Sequence, residues 1–455
     1  MSEPSTGPRP LCFVLMPFGT KDDPAGGQVH FDAVHEEIIR PAVEDAGMQC
    51  VRADEERVGG IIHRPMFERL LLCDYAVADL SMANANVYYE LGIRHATRPW
   101  STVLLFREGF RLPFDVGPLR AQPYHLGPDG RPTRDHVGQD RAALTASLRQ
   151  ARERTTDSPL FQLLPELPPA DTSGLGIELF REQVEATRAL QGRLTTARRR
   201  RDLDSMRAVR TDLGGLDGRD AGLVVDLLRS FLAVEAHDDA VALVEAMPPI
   251  AGGIPVVREQ LAFALNRLGR RDEAEDVLRR LVEERGADSE TSGLHGRVYK
   301  DQWADALAQG RTARAGGLIE KAIGAYLAGF EADWRDHYPG INAVQLMYLR
   351  DPSDPRIAEL LPVVRYGARQ KARRMQADNW DHATLLELAV LDDSVQDAET
   401  ALMHALAADP LPWQARSTLA TLVRLRVARE GVRPTPDWLR TVETELAEAA
   451  NPAAR

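Results

Sequence analysis

Two carboxylates sit in a stretch where carboxylates can do chemistry. In VADLSMANANVYYELGIRHA (77–96), Asp79 closes an apolar run and Glu90 falls inside a helical pattern. Ser81, Asn84, Asn86, Tyr88 and Tyr89 lie between them. A partly desolvated carboxylate near a helix start can attack a sugar carbon, or stabilise the cation that forms when a glycosidic bond breaks. The two tyrosines can stack on a base or orient a ribose. Asn84 or Asn86 can cap the helix, which sets Glu90 in about its first turn, where the dipole favours negative charge. A structural role accounts for the same spacing: Glu90 complementing the dipole, Asp79 capping a turn.

Other chemistries lack their residues. No GxxxxGK[ST] loop and no GxGxxG follows the first apolar run, which argues against a kinase, an NTPase or a dehydrogenase. The Gly-Gly pairs at 26–27 and 59–60 read as loops. His63, His95 and His125 are scattered, without HxxxH or HExxH spacing, so neither a metal site nor a cofactor is expected. Cys12, Cys50 and Cys73 show no CxxC spacing and read as buried, reduced thiols of a cytoplasmic protein. A net charge of −12 offers no basic excess for nucleic acid. The one dense basic run, ARRRRD (197–202), reads as a solvated helix face. No apolar run reaches the ~18 residues that cross a membrane. Residues 1–9 read as a disordered tail.

The elements that must position Asp79 and Glu90 follow from periodicity. At 455 residues the chain is long enough for two or three domains. Strands are expected at 11–18, 48–54, 75–81, 101–106 and, more briefly, 123–126, with helices at 31–47, 62–73 and 86–97. This alternation predicts an α/β domain over 10–126 with a doubly wound parallel sheet. Ligands of such sheets bind beyond the strands' carboxyl ends. Those ends supply Pro17, Phe18 and Gly19 after the first strand, Arg52 and Asp54 at the second, and Asp79 and Ser81 at the third. Residues 127–174 read as a linker containing one capping helix, followed by a Pro-rich hinge.

Beyond residue 175 the strands vanish and Ala-, Leu- and Arg-rich helix takes over. HDDAVALVEAM (237–247) superposes on RDEAEDVLRRL (271–281) at an offset of 34, aligning Asp238 with Asp272 and Ala240 with Ala274. That is the tetratricopeptide period. Segments 321–333 and 397–410 read as second helices of later, diverged units. A tetratricopeptide-like helical solenoid is therefore expected over 175–425, with a C-terminal helix and tail over 426–455.

The motifs CFVLMPFG, IIRPA, RADE, CDYAVADLS and NVYYELGIRHA, taken in order, resemble the deoxyribohydrolase-like domains. These form the group that joins nucleoside 2-deoxyribosyltransferases with TIR domains. The resemblance spans roughly 10–126 and implies a flavodoxin/TIR-like sheet, with Glu90 as nucleophile on the sugar, Asp79 before the loop, and the Pro17-Phe18-Gly19 turn at the pocket. In the transferases a neighbouring subunit finishes the pocket, so a homo-oligomer is implied, although no second carboxylate or amide stands out here as the donated group. GRVYKDQW (296–303) and YPGINAVQLMYL (338–349) resemble the central TRAF-binding region of apoptosis signal-regulating kinases, over about 155–425. That region follows a deoxyribohydrolase-like domain in those kinases as well.

Three functions fit these readings. One is an N-glycosidase acting on nucleosides, nucleotides or NAD, regulated or assembled by its helical half. Another is a module that senses a nucleotide-like small molecule without turnover. The third is a scaffold whose helical repeats hold a protein partner.

Overall fold

The computed structural model describes residues 9–22, 27–52, 64–114, 116–117, 119–172, 177–216, 221–373, 379–408 and 410–451. The chain forms two compact units, Met1–Val257 and Arg258–Arg455.

In the first unit, β1 (Leu11–Leu15) is buried on both faces. Leu11, Phe13 and Leu15 enter one apolar core, while Cys12 and Val14 enter the other. A strand buried on both sides reads as a continuous apolar run, as LCFVL does. A short antiparallel hairpin follows, β2 (Thr20–Asp22) and β3 (Gln28–His30). It was not anticipated, because three-residue strands are too short to carry a periodic signal. The remaining strands are β4 (Gln49–Arg52), β5 (Tyr75–Asp79), β6 (Thr102–Arg107) and β7 (Ala121–Tyr124). The main sheet runs β4-β1-β5-β6-β7 with every pair parallel. The chain winds one way from β1 to β4 and the other way from β5 onward, so the topological switch lies between β1 and β5.

The first helical stretch comprises α1 (Phe31–Val34), a wide turn at His35–Ile39 and α2 (Arg40–Asp45). Pro41 explains the wide turn. It has no N–H to donate, and its ring crowds the carbonyl four residues back. Next come α3 (Arg64–Leu72), α4 (Ala85–Thr97), α5 (Val137–Gln150) and α6 (Pro159–Leu163). Helix α5 packs against α2 and the wide turn, as a capping helix should. The stretch expected as a hinge is anchored at its start. The Asp157 carboxylate accepts from the Ser101 and Thr102 amides at 2.7 and 2.9 Å, and Ser158 Oγ donates to the His95 carbonyl at 2.7 Å. Helix α7 (Ile177–Arg200) places Phe180 in the same core as Phe13 and Leu15. It is followed by α8 (Leu203–Leu213), α9 (Ala221–Ala233), α10 (His237–Glu245), α11 (Pro249–Gly252) and α12 (Pro255–Arg267). The division between the two units falls inside α12.

The second unit is all helix among the described residues: α13 (Arg271–Arg285), α14 (Ser289–Ala308), α15 (Thr312–Ala332) and α16 (His337–Arg350). The series ends with α17 (Pro355–Ala372), α18 (Asn379–Leu391), α19 (Val395–Ala407), α20 (Pro412–Glu430) and α21 (Asp437–Ala450). Helices α14 and α15 form a hairpin, as do α18 and α19, and α15 and α19 are the second helices expected from sequence. One turn recurs along the chain. A left-handed residue (Arg201, Glu235, Gly269, Gly310 or Asp393) ends a helix. The next amide then bonds the carbonyl five residues back at 2.8–2.9 Å. The first three turns stand 34 residues apart, so the repeat read from sequence is a repeat of backbone geometry. The fifth residue after each left-handed position (Met206, Ala240, Ala274, Ala315, Ala398) is at most 2% exposed.

Close helix contact makes the glycines of the second unit unequal. A Cβ on Gly296 would lie 2.6–2.8 Å from the Tyr326 ring, whereas one on Gly324 meets nothing within 4 Å. Alanine in a helix interior gains about 1 kcal/mol over glycine, while overpacking costs ~1–3 kcal/mol. Gly324→Ala should raise the thermal midpoint and Gly296→Ala should lower it. Equal shifts in calorimetry would contradict this packing.

Candidate functional site

At the carboxyl end of β1 the chain turns through Pro17, Phe18 and Gly19, with Gly19 at φ 64°. The Gly19 amide donates to Asp32 Oδ1 at 3.1 Å. Arg52, at the end of β4, donates to the same oxygen at 2.7 Å, and its guanidinium lies 4.7 Å from the Phe18 ring centroid. Its contact with the Pro17 carbonyl is longer, at 3.5 Å. One ion pair thus ties together the ends of two strands and the start of α1. Asp54, the companion expected beside Arg52, lies outside the described residues.

On the other side of the switch, Asp79 is fully buried. Its carboxylate accepts from the Ser81 amide at 3.0 Å and from the Tyr124 hydroxyl at 2.9 Å. Ser81 Oγ lies 3.0 Å from the same hydroxyl and accepts from the Arg107 amide at 2.8 Å. Burial raises the Asp79 pKa above the ordinary carboxylate range, while the bonds from Ser81 and Tyr124 pull it back. Burial, and then Asp79 itself, raise the pKa of Tyr124 and of Tyr88. Asp79 and Ser81 therefore brace the loop rather than line an open surface. The loop needs bracing, because Met82 and Ala83 are both left-handed, at φ 65° and 49°. Non-glycine residues there cost roughly 1–2 kcal/mol each.

Asn84 is the cap of α4. Its Oδ1 accepts from the Asn86 and Val87 amides at 3.0 and 3.2 Å, and Asn86 is exposed. Glu90 is the sixth residue of α4, and the first turn carries no acidic residue. The dipole effect fades within that turn, so the expected placement shifts by about one turn and Glu90 does not serve as a dipole complement. It is half-buried, next to the inward face made by Val87, Leu91 and Arg94. The tyrosines diverge. Tyr88 packs on the core and donates to the Leu80 carbonyl at 3.3 Å, while Tyr89 is 52% exposed.

The sites gather into two groups flanking the switch point: Pro17, Phe18, Gly19 and Arg52 on one side, Asp79, Ser81 and the start of α4 on the other. Register brings them together, because Leu15 pairs with Ala78, the residue before Asp79.

Several polar groups escaped the sequence reading as structural anchors, and not all lie on this edge: Arg94 serves the amino ends of β5 and β6. Asp32 and Tyr124 complete the two groups. His125, just past β7, gives both its amide and Nδ1 to Asp140 at 2.9 Å, and its Nε2 lies 3.2 Å from Glu108. Stacking on His136 holds the ring, with centroids 4.3 Å apart. Arg94 is fully buried and donates to the carbonyls of Leu70, Cys73 and Asp74 and to Ser101 Oγ. Burial lowers its pKa to about 10. Its sequence signal was a cation seven residues after Val87 on an apolar helix face. His95 is driven down to about 4 by burial and then by Arg94, in keeping with a packing role. His63 lies outside the described residues. No cluster suited to a metal ion occurs among the described residues. Cys12, Cys50 and Cys73 are free thiols, with Cys50 half-buried.

A parallel sheet with a braced switch point, followed by stacked helix hairpins, defines an α/β domain joined to a helical-repeat region. The MAP3K TRAFs-binding domain model matches residues 87–435, and the chain belongs to that family. The match begins in α4, beside Glu90, and so takes in the last two strands of the sheet. Among solved structures, a thermophilic TPR protein of Thermus thermophilus is similar at 16% identity and a TM-score of 0.32. That alignment covers 46% of this chain and 99% of that one. No curated protein matches. No described helix is long and apolar enough to cross a membrane.

A raised pKa means that the folded protein holds the Asp79 proton to higher pH than the unfolded chain does. Its contribution to stability is then fullest below the unfolded value of about 3.9 and is lost as pH rises toward the folded value. Asp79→Asn removes the titration. Urea unfolding at stepped pH should show wild type losing stability relative to Asp79→Asn as pH rises from about 4. A gain with rising pH would refute the assignment.

Proposed function

We propose that this chain is a scaffold whose helical region docks a protein partner, with a TRAF protein as the partner class that the family description indicates. The observation that carries this reading is the family match over residues 87–435. The recurrent close-packed turns support it, since stacked hairpins present extended surfaces of the kind repeat proteins use for binding. Residues 175–425 are the docking part in this reading, and 10–126 the part that responds to a small molecule. A cytoplasmic location suits the three free thiols. Surface plasmon resonance of the full chain against a purified TRAF domain should give saturable binding. Absence of binding at tens of micromolar, the scale of about −6 kcal/mol, would remove TRAF proteins as the partner class.

A second reading, favoured by the braced switch point, concerns the sheet. We propose that the edge between β1 and β5 receives a nucleotide-like ligand, with Glu90 facing its N-glycosidic bond as in the deoxyribohydrolase and TIR group. The Asp79–Tyr124–Ser81 network supports this, because it holds a costly loop in place between the strand and α4. In this reading Asp79 positions the loop, and Phe18, Asn86 and Tyr89 contact the ligand. A homo-oligomer would complete the pocket. Full-length protein incubated at several concentrations with nucleosides, nucleotides and NAD should release free base. Glu90→Gln should abolish that release without loss of fold, because a neutral amide is neither nucleophile nor counter-ion to an oxocarbenium ion. Equal release by the variant would dismiss Glu90, and no release from any substrate would leave binding without turnover.

A further inference from the structure

The strand register sets two of the three thiols side by side. Cys12 of β1 pairs with Cys50 of β4, and both belong to the same apolar core. Neighbouring strands stand about 4.8 Å apart, inside the range of roughly 4.4–6.8 Å between Cα atoms that a disulfide spans. Its Cβ atoms sit closer, at about 3.8 Å, so closing the bond draws β4 slightly toward β1. Because β4 ends the sheet order, that approach displaces no inner strand. Cys73 belongs to the other core.

The two thiols differ in exposure. Cys12 is fully buried, whereas Cys50 is half-buried and lines a cavity of about 600 Å³ between β4 and α7. The exposed side chains of Arg9, Glu44, Glu185 and Arg188 surround that cavity, so water and small polar molecules reach it.

Their chemistry differs as well. Cys50 Sγ lies 3.7 Å from His35 Nε2, and His35 Nδ1 lies 3.1 Å from Glu36 Oε1. A carboxylate only accepts, so Nδ1 carries the ring proton and Nε2 accepts from the Cys50 thiol. Burial, and then Arg52 and Arg40, hold the His35 pKa down at about 3, so the ring stays neutral and keeps this polarity. Burial, and then Cys50, push the Cys12 thiol well above its usual range. Thiolate is the reactive form, so Cys12 is not the first nucleophile of the pair.

We propose that Cys50 is an oxidation site for hydroperoxides, with Cys12 as the thiol that resolves it into an intramolecular disulfide. The Cys50 thiol gives up its proton to cavity water, and its sulfur attacks the hydroxyl oxygen of the peroxide. The O–O bond breaks, the departing oxygen takes a proton and leaves as alcohol or water, and Cys50 becomes a sulfenic acid. The Cys12 sulfur then attacks the Cys50 sulfur. The S–O bond breaks, water leaves with the Cys12 proton, and the S–S bond forms. One peroxide is reduced and two thiols are oxidised. Cys12 needs no exposure for its step, because its register partner presents the electrophile to it. Transient disulfides of this kind are compatible with a reducing compartment.

The test is mass-spectrometric peptide mapping of the full chain after limited treatment with hydrogen peroxide. Wild type should yield a cross-linked pair, Cys12 with Cys50, that dithiothreitol reverses. Cys73 should oxidise at least ~10-fold more slowly than Cys50. In Cys12→Ser, dimedone should trap Cys50 as a sulfenic acid, and wild type should give at least ~10-fold less adduct because resolution competes. In Cys50→Ser, Cys12 should stay reduced, since the entry point is gone. Circular dichroism verifies the fold of both variants, and the wild-type map stands without them. Equal dimedone labelling of Cys50 in wild type and Cys12→Ser overturns the resolving role. Oxidation of Cys12 in Cys50→Ser overturns the entry role. A wild-type map without the cross-link, at peroxide that oxidises the urea-unfolded chain, overturns the whole proposal. So does Cys50 paired with Cys73 or with a second copy.

Discussion

A single backbone bond organises most of this chain. When a helix ends on a left-handed residue, the following amide reaches back to a carbonyl five residues earlier and closes the helix on itself. The bond recurs after Arg201, Glu235, Gly269, Gly310 and Asp393, and also after Gly47, where it delivers the chain into β4. It satisfies carbonyls that would otherwise be orphaned and lets the next helix begin within two residues. The next helix must then approach closely, which is why a small residue stands five positions on in four of the helical turns. Glycine takes the left-handed position without strain at 269 and 310. Arg201, Glu235 and Asp393 accept ~1–2 kcal/mol for it, which the buried contacts of the following helix must offset.

The sheet unit applies the same economy of backbone satisfaction with side chains. Arg94 answers the carbonyl end of α3, Asp157 the first amides of β6, and Asp79 the amide that starts the loop before α4. Burying a charge is costly unless it is bonded on several sides. Asp79 takes bonds on both oxygens and Arg94 gives four, while Asp157 Oδ1 and Arg94 Nε have no partner among the described residues. Their burial also explains why the network at the switch is fixed. Tyr124 cannot move without exposing Asp79, and Ser81 cannot move without releasing the β6 extension at Arg107. The left-handed pair Met82-Ala83 is held by this frame and by the Asn84 cap together.

Much of this was legible in the sequence, for physical reasons that can be named. Strands buried on both faces leave apolar runs, so β1 and β5 in particular could be placed to within a few residues, while the only partly buried edge strands β4 and β7 carry a weaker signal. The repeat at 34 residues was visible because Asp238/Asp272 and Ala240/Ala274 occupy equivalent turns. The β2–β3 hairpin was invisible, being too short for a period, and so was the wide turn at Pro41, where helical spacing persists through a change of hydrogen bonding. At the site, the types at strand ends were readable but their burial was not. Asp79 looked like a group facing a ligand, because nothing local reveals that Tyr124, 45 residues on, covers it. The first-turn placement of Glu90 depended on which asparagine caps α4 and on how the dipole fades along the helix.

Within the first unit, the sheet and the first long helix share a core. Phe180, on the first long helix, is part of the core that holds Phe13, Leu15 and Leu91. The Pro-rich stretch begins with Asp157 and Ser158 fastened to β6 and to the end of α4. The family match, too, starts within α4 rather than at the first helical repeat. The helix that bears Glu90 is therefore held at its start by the Asn84 cap, along its buried face by Arg94, and at its end by Ser158. A ligand that altered the position of α4 would have to work against all three. Helix α4 is thereby fastened to the segment that leads toward α7.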